Sequence, residues 1–510
     1  MTEKEENVNY TLIIGVIIVE LFIIFGISAI LNYFQKRAGG GTLTADDYAT
    51  TSRKMPMIAI AATQSLTALG GGHILGVPGA SWDFGVSAAW FVIANGTCLI
   101  ILLSFVGPWT RRFGYPTINQ LFEVLFDKKT AAFLAAMGVG TAFGVFTLET
   151  QGVGTVIASM AGWVSTGGLQ MACIIGVVVA VLYVIFGGMK EVGWVNVVNA
   201  IIMYVGVILA VVLIGSRIPG GWGAVNDFYL NEAVGAGGGP GEWWLSPLAN
   251  GQVWQIYIVG TVLSTLFYVA IGPQAAQINA SAVNVRAVKR ALLVAIPINT
   301  VFGLCMIAFG MAAKSIPQYA EIGVPPIATF MFLVDTLPMW LLIWVLAAFA
   351  AAMLSTMAIQ ALAMATIVVK DIHIKYFNPN LSDDKQRRYI KIWIIAIAVI
   401  GAAFATLLPP VQNAMVWLFS WLVPAFWMFV IGMFWRRSGN AAFWTMIIAA
   451  IASSVWTFTQ PLGYSNSIVV IIVGIVLGIL FTALDKNRKP GLISVYKKDR
   501  NSVVAEDLRR

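Results

Sequence analysis

Ser355 and Thr356 stand side by side in the run Ala350-Ala351-Ala352-Met353-Leu354-Ser355-Thr356-Met357. On a helix, adjacent hydroxyls offer two hard oxygen ligands at one level, and the small Ala352 lets another backbone approach them. Carbonyls freed near Leu66–Leu69, where Gly70-Gly71-Gly72 interrupts another apolar run, are candidates to complete a cation site. Irregular backbone at membrane depth survives only where protein or an enclosed cavity satisfies it. The same two hydroxyls would serve equally in hydrogen bonds between helices, a common use of Ser and Thr in apolar surroundings. Both readings stand on the residues alone.

Glu149, in Phe146-Thr147-Leu148-Glu149-Thr150-Gln151, falls near the middle of an apolar run. A carboxylate there is expensive and by default marks a functional position. It could meet a ligand's ammonium or carry a proton; a structural hydrogen bond to a neighbouring helix is the plainer role. His73 follows the triple glycine and suits ligand binding as well as a satisfied place in the core. Gln64, Ser65 and Thr67 share that broken run, and Phe267 and Tyr268 precede a second break at Ile271-Gly272-Pro273-Gln274. The amides of Gly70, Gly71 and Gly72 would suit a carboxylate, as helix N-termini do. Glu20 lies in the first apolar run, where packing or an oligomer contact fits it better than ligand binding. With two distant histidines, no metal-ligand cluster and no nucleophile elbow, catalytic residues are not expected and an enzyme is disfavoured.

The elements that hold these residues follow from composition. The chain has 510 residues, 59% hydrophobic and 11% charged, against about 25% charged in soluble domains. Apolar runs occur at roughly 8–34, 57–80, 84–107, 131–162, 168–187, 193–215, 252–280, 291–313, 338–369, 390–408, 411–435, 441–460 and 466–484. Each is long enough to cross about 30 Å of hydrocarbon, so an all-α integral membrane protein of about thirteen transmembrane helices is expected. The acidic leader Met1-Thr2-Glu3-Lys4-Glu5-Glu6, with Lys36 and Arg37 after the run, favours a retained first helix whose N-terminus faces outside. On that topology 28 of the 31 lysines and arginines fall on the cytoplasmic side, leaving Lys4, Arg217 and Lys314 outside. Cytoplasmic loops carry such an excess. The net charge of +8 therefore reports topology and lipid headgroups as neighbours, not nucleic acid. Cys98, Cys173 and Cys305 all fall inside spans and read as packing residues.

Setting aside the first span and the last two leaves ten, and the two broken ones open two sets of five. Five is odd, so the second set repeats the first upside down, the arrangement of transporters that bind cargo between inverted repeats at the midplane. The expected organisation is a peripheral helix at 1–37, repeats at 50–215 and 250–437, two peripheral helices at 438–485 and a cytoplasmic tail at 486–510. A secondary transporter working by alternating access is the reading; a channel and a sensor are its rivals, and no obligate protein partner is evident. The connection 314–337 is expected to lay a helix over the outer mouth, and Ser382-Asp383-Asp384 to cap a helix.

Four segments, in order, carry a family likeness. Ala347–Lys370 resembles the ion-site helix of the sodium:solute symporter family. Gly187-Gly188-Met189-Lys190-Glu191-Val192-Gly193-Trp194, Gly272-Pro273-Gln274-Ala275-Ala276-Gln277 with Ala287-Val288-Lys289-Arg290-Ala291, and Gly432-Met433-Phe434-Trp435-Arg436-Arg437 are similar to further family signatures. The resemblance implies a five-plus-five core of the leucine transporter type and Na⁺ as coupling ion. It places Na⁺ on the carbonyls of Leu66, Leu69 and Ala352 and the hydroxyls of Ser355 and Thr356. Some members carry an aspartate where this chain has Ala68, and many have Trp-Thr-Asp where it has Trp194-Val195-Asn196. Only neutral oxygens then remain for the ion, and proton coupling stays open. For the cargo, an amino acid or another zwitterion or ammonium compound is favoured, a monocarboxylate comes next, and a sugar or a non-transporting sensor lies further off.

Overall fold

The computed structural model describes residues 10–37, 44–161, 163, 165–248, 251–407, 417–459 and 466–506. Parts of several expected boundaries, at 8–9, 162, 408, 411–416 and 460, lie outside the described residues. Among the described residues, eleven helices are long and apolar enough to cross a membrane, and a bent pair raises this to twelve. One of the eleven, Gly72–Phe113, has 42 residues; at 1.5 Å per residue it is about twice as long as one crossing needs. It divides at Gly85, whose φ of +56° ends the helix Val77–Phe84. The architecture is all-α and multi-spanning, with about thirteen crossings.

Two core helices are broken where the sequence lacks helix-forming chemistry. The first core helix is Met57–Ala68, an interruption at the glycines, a π-helical turn Gly72–Gly76, then Val77–Phe84. The sixth is Val259–Ile271 followed by Pro273–Ser281, with its two arms bent by 42°. Gly72 and Gly71 offer no side chain to shield freed amides, and Pro273 has no N–H to give, so it sits at the start of its arm. The remaining core helices are the second, Ala89–Ile101 continuing to Gly107–Phe113; the third, Lys128–Ala161; the fourth, Thr166–Ile185; the fifth, Met189–Arg217; and the seventh, Val285–Lys314. The eighth is Met339–Thr366, extended by a π-helical stretch to Phe377, the ninth Asp383–Phe404 and the tenth Val423–Phe434.

Burial ranks these helices. In the most apolar window of the eighth, 89% of residues are buried, against 22% for the N-terminal helix and 28% for Asn466–Leu484. The eighth helix is far more buried than the other two. Glu20 faces inward from the N-terminal helix, where Oε2 accepts from Asn199 Nδ2 at 3.4 Å. Asn199 in turn donates to the Tyr183 hydroxyl at 3.0 Å. This is internal packing between the first helix and the core.

The basic residues assigned to the inner side gather at one end of the bundle. Arg53 donates to the Gly114 carbonyl, Arg111 to those of Ala282 and Val283, Lys370 pairs with Asp46, and Lys375 with Glu123. There Met55 N–H donates to Ser281 O at 2.9 Å and Val283 N–H to Met55 O at 3.0 Å, tying the inner ends of the two broken helices together. Asp371 accepts from Thr117, Asn119 and Gln120 and fastens the eighth helix to the short helix Ile118–Leu125. Ser382 does stand before the ninth helix, but its side chain makes no capping bond; Asp383 instead accepts from the Ala45 N–H at 2.9 Å.

The tail also packs on this end. Lys489–Pro490 pairs antiparallel with Arg436–Arg437, Leu492 and Val504 are fully buried, and Ala505 N–H donates to Phe113 O at 2.8 Å. At the opposite end the helix Pro325–Thr336 lies on the first, third and seventh core helices. Trp244 there is fully buried, and its carbonyl lies where a Cβ on Gly85 would go. Gly85→Ala combines left-handed backbone with that clash. It should cost about 1–3 kcal/mol, seen as a lower thermal midpoint with a preserved activity per folded molecule.

Candidate functional site

At the first break several freed backbone groups find other partners. In an unbroken helix Gly71 N–H would bond the Thr67 carbonyl. Here it donates to Glu149 Oε2 at 2.6 Å, across 78 residues of sequence. The carboxylate fits only because Gly70 lacks a side chain, since a Cβ there would overlap it. The Ala68 carbonyl accepts from Asn95 Nδ2 at 3.5 Å and from the His73 ring. The Gly70 carbonyl starts the next arm, accepting from His73 N–H at 2.9 Å and Ile74 N–H at 3.2 Å.

The Thr67 carbonyl left by Gly71 turns to the eighth helix. Thr356 Oγ1 lies 3.4 Å from it, 3.5 Å from the Leu66 carbonyl and 3.0 Å from its own helix's Ala352 carbonyl. One hydroxyl proton cannot serve three carbonyls, so oxygens outnumber protons here. Ser355 Oγ is fully buried and has no partner among the described residues. Neutral oxygens crowded in a dry place suit a hard monovalent cation. Among the described residues no cluster of three His, Cys, Asp or Glu exists, which speaks against a higher-valent ion. Thr356 thus meets the carbonyls of Leu66 and Ala352, while Ser355 Oγ makes no hydrogen bond to this cluster. The hydroxyl of Thr356 touches the carbonyl of Thr67, which sequence reasoning did not include, and not that of Leu69.

A cavity opens beside this cluster, with about 50 Å³ free at its centre. Of the candidate substrate residues, Gln64, Thr67, Gly70, Gly72, His73, Glu149 and Tyr268 line it. Gly71 stands behind and anchors Glu149. Ser65 is turned elsewhere: its hydroxyl meets Tyr204 and its carbonyl accepts from Asn299 Nδ2 at 3.4 Å. Phe267 also faces away, packing at 5.0 Å on both Phe426 and Trp427. One of Phe267 and Tyr268 faces inward. Tyr268 does, stacked on Phe419 with centroids 3.9 Å apart.

Several lining residues escaped sequence reasoning, chiefly Phe91, Asn95, Thr265, Gln274, Gln360 and Phe419. A lone amide in an apolar span was the available signal for Asn95. Gln360 stands one turn beyond Thr356, on the same face of the eighth helix. Phe419 gave none, because aromatic residues are frequent throughout these spans.

The sequence and the fold both have known relatives. Residues 48–449 match the model of the sodium:solute symporter family. The sodium/glucose cotransporter of Vibrio parahaemolyticus is 22% identical over 458 residues, covering 83% of this chain and 81% of that protein. The sodium/pantothenate symporter of Escherichia coli (strain K12) is 22% identical, covering 85% and 88%. The fold of a Na⁺-coupled sialic acid symporter, solved in a substrate-bound outward-open state, superposes with a TM-score of 0.76 at 16% identity over 95% of this chain and 98% of that one. A match spanning most of the length, on a core with both helix breaks in place, settles the membership. The chain belongs to the sodium:solute symporter family.

Proposed function

We propose that the protein moves a small polar organic solute with an ammonium group, an amino acid or related zwitterion or ammonium compound, together with Na⁺ by alternating access. The observation that carries this reading is the buried Glu149 carboxylate in a cavity that Thr356 also lines, beside the Leu66 and Thr67 carbonyls. Na⁺ bound between the first and eighth core helices would hold the outward-open form, so that solute binds next and the inner gate then opens. By linkage, Na⁺ and solute tighten one another's binding by the same factor. The N-terminus faces outside and the basic end faces the cytoplasm in this scheme, as the charge distribution requires. Relatives named for glucose and pantothenate leave the cargo class to be read from this chain's own lining. A monocarboxylate is the second reading, supported by the Gly70-Gly71-Gly72 backbone at the break. Reconstituted protein should concentrate its solute only while an inward Na⁺ gradient stands. Accumulation that survives collapse of that gradient would remove the coupling, and equilibration without accumulation would indicate a channel.

A further inference from the structure

The polarity of the cavity is lopsided. Glu149 is the one formally charged residue among its described lining, and no lysine or arginine reaches it. Its Oε2 already holds the Gly71 N–H, at the start of the arm that follows the break. A substrate carboxylate would be received at that same amide, so the protein's own side chain occupies the anion seat.

Four uncharged groups lean the same way, while the unpartnered hydroxyls of Thr67 and Thr265 can donate or accept. Asn95 presents Nδ2 to the Ala68 carbonyl, which can only accept, so its Oδ1 is left facing no donor. Gln274 directs Nε2 to the Tyr268 hydroxyl at 3.4 Å and keeps an unpartnered Oε1. Gln360 Oε1 and His73 Nε2 are also without partners. With its ring proton given to the Ala68 carbonyl, His73 offers Nε2 as an acceptor. All four residues are at most 4% exposed. Each unmet buried acceptor costs about 1–3 kcal/mol, which is tolerable where an occupant supplies the protons. The rings of Phe91 and Phe419 complete the wall and favour a cation over an anion.

We infer that the cargo is a compact organic cation, an amine or guanidine with several N–H donors and no carboxylate, seated against Glu149 and donating to Asn95, Gln274 and Gln360. This rests on the symport reading above and narrows it. A free acid would face Glu149 with like charge, and an amino acid would bring a carboxylate to a seat already filled.

The test compares amino acids with their own decarboxylated amines and deaminated acids: valine with isobutylamine and isovalerate, serine with ethanolamine, arginine with agmatine. Purified full-length protein is followed by thermal shift in saturating Na⁺. At least one amine should protect while its parent amino acid and acid do not. Glu149→Gln should weaken that amine by roughly 100-fold while keeping the stabilisation that Na⁺ gives alone, which shows the variant folded. Greater protection by an amino acid or acid than by its amine overturns the inference. So does protection by no amine, or unaltered amine binding in the Glu149→Gln protein. Absence of any Na⁺ response in the wild type would instead fall on the coupling, not on the charge of the cargo.

Discussion

Replacing Ser355 and Thr356 together by alanine raises the Na⁺ concentration for half-maximal uptake by about 100-fold or more, because hydrogen-bond-like contacts to a charged group are worth about 1.5–3 kcal/mol each. On the ion-site reading, two oxygen ligands of a buried cation disappear at once. The solute's own affinity at saturating Na⁺ should change little, since Glu149 and the amide side chains are left in place. A Thr356→Ser exchange keeps the oxygen that lies by Ala352, Leu66 and Thr67 and should stay close to wild type. Unaltered Na⁺ dependence in the double variant would move the ion elsewhere.

Gly70→Ala should abolish transport while its neighbour Gly71→Ala is mild. A Cβ on Gly70 lands within the Glu149 carboxylate, with Cδ at 2.7 Å and Oε2 at 2.8 Å, whereas one on Gly71 lies 3.3 Å from the nearest oxygen. The first substitution forces a buried carboxylate off its amide partner; the second needs a shift of a few tenths of an ångström. Displacing a buried charged group from its hydrogen bond costs about 3–5 kcal/mol, enough to lower the population of the native break by more than 100-fold. If crowding is the cause, Glu149→Ala should relieve the folding defect of Gly70→Ala, and the thermal midpoints of the four proteins would show strong non-additivity. Additive midpoints would mean that Gly70 matters for another reason.

Much of this was readable beforehand because the membrane simplifies the code. Spans announce themselves by length, and breaks by Gly70-Gly71-Gly72 and Gly272-Pro273, where no side chain or no N–H can continue a helix. Pairings were not readable. Nothing local says that Glu149 reaches back 78 positions to one glycine amide, although its isolation in an apolar run said that it must reach something. Nor could periodicity choose between Phe267 and Tyr268, or between the carbonyls of Thr67 and Leu69, since a break changes the helical phase by an amount the sequence does not encode. Nor was the docking of the tail readable, since Leu492, Val503 and Val504, each at most 3% exposed, are isolated apolar residues in a mostly polar stretch.

That docking has a kinetic corollary. Gly491 N–H bonds the Trp435 carbonyl at 3.0 Å, Ala505 N–H bonds that of Phe113, and Tyr496 rests edge-on against Trp109 and Phe113. One peptide strap thereby bridges the tips of the tenth and second core helices at the basic end of the bundle. Any motion that spreads those tips must first peel the strap, so amide hydrogen exchange at Ala505 would count those openings.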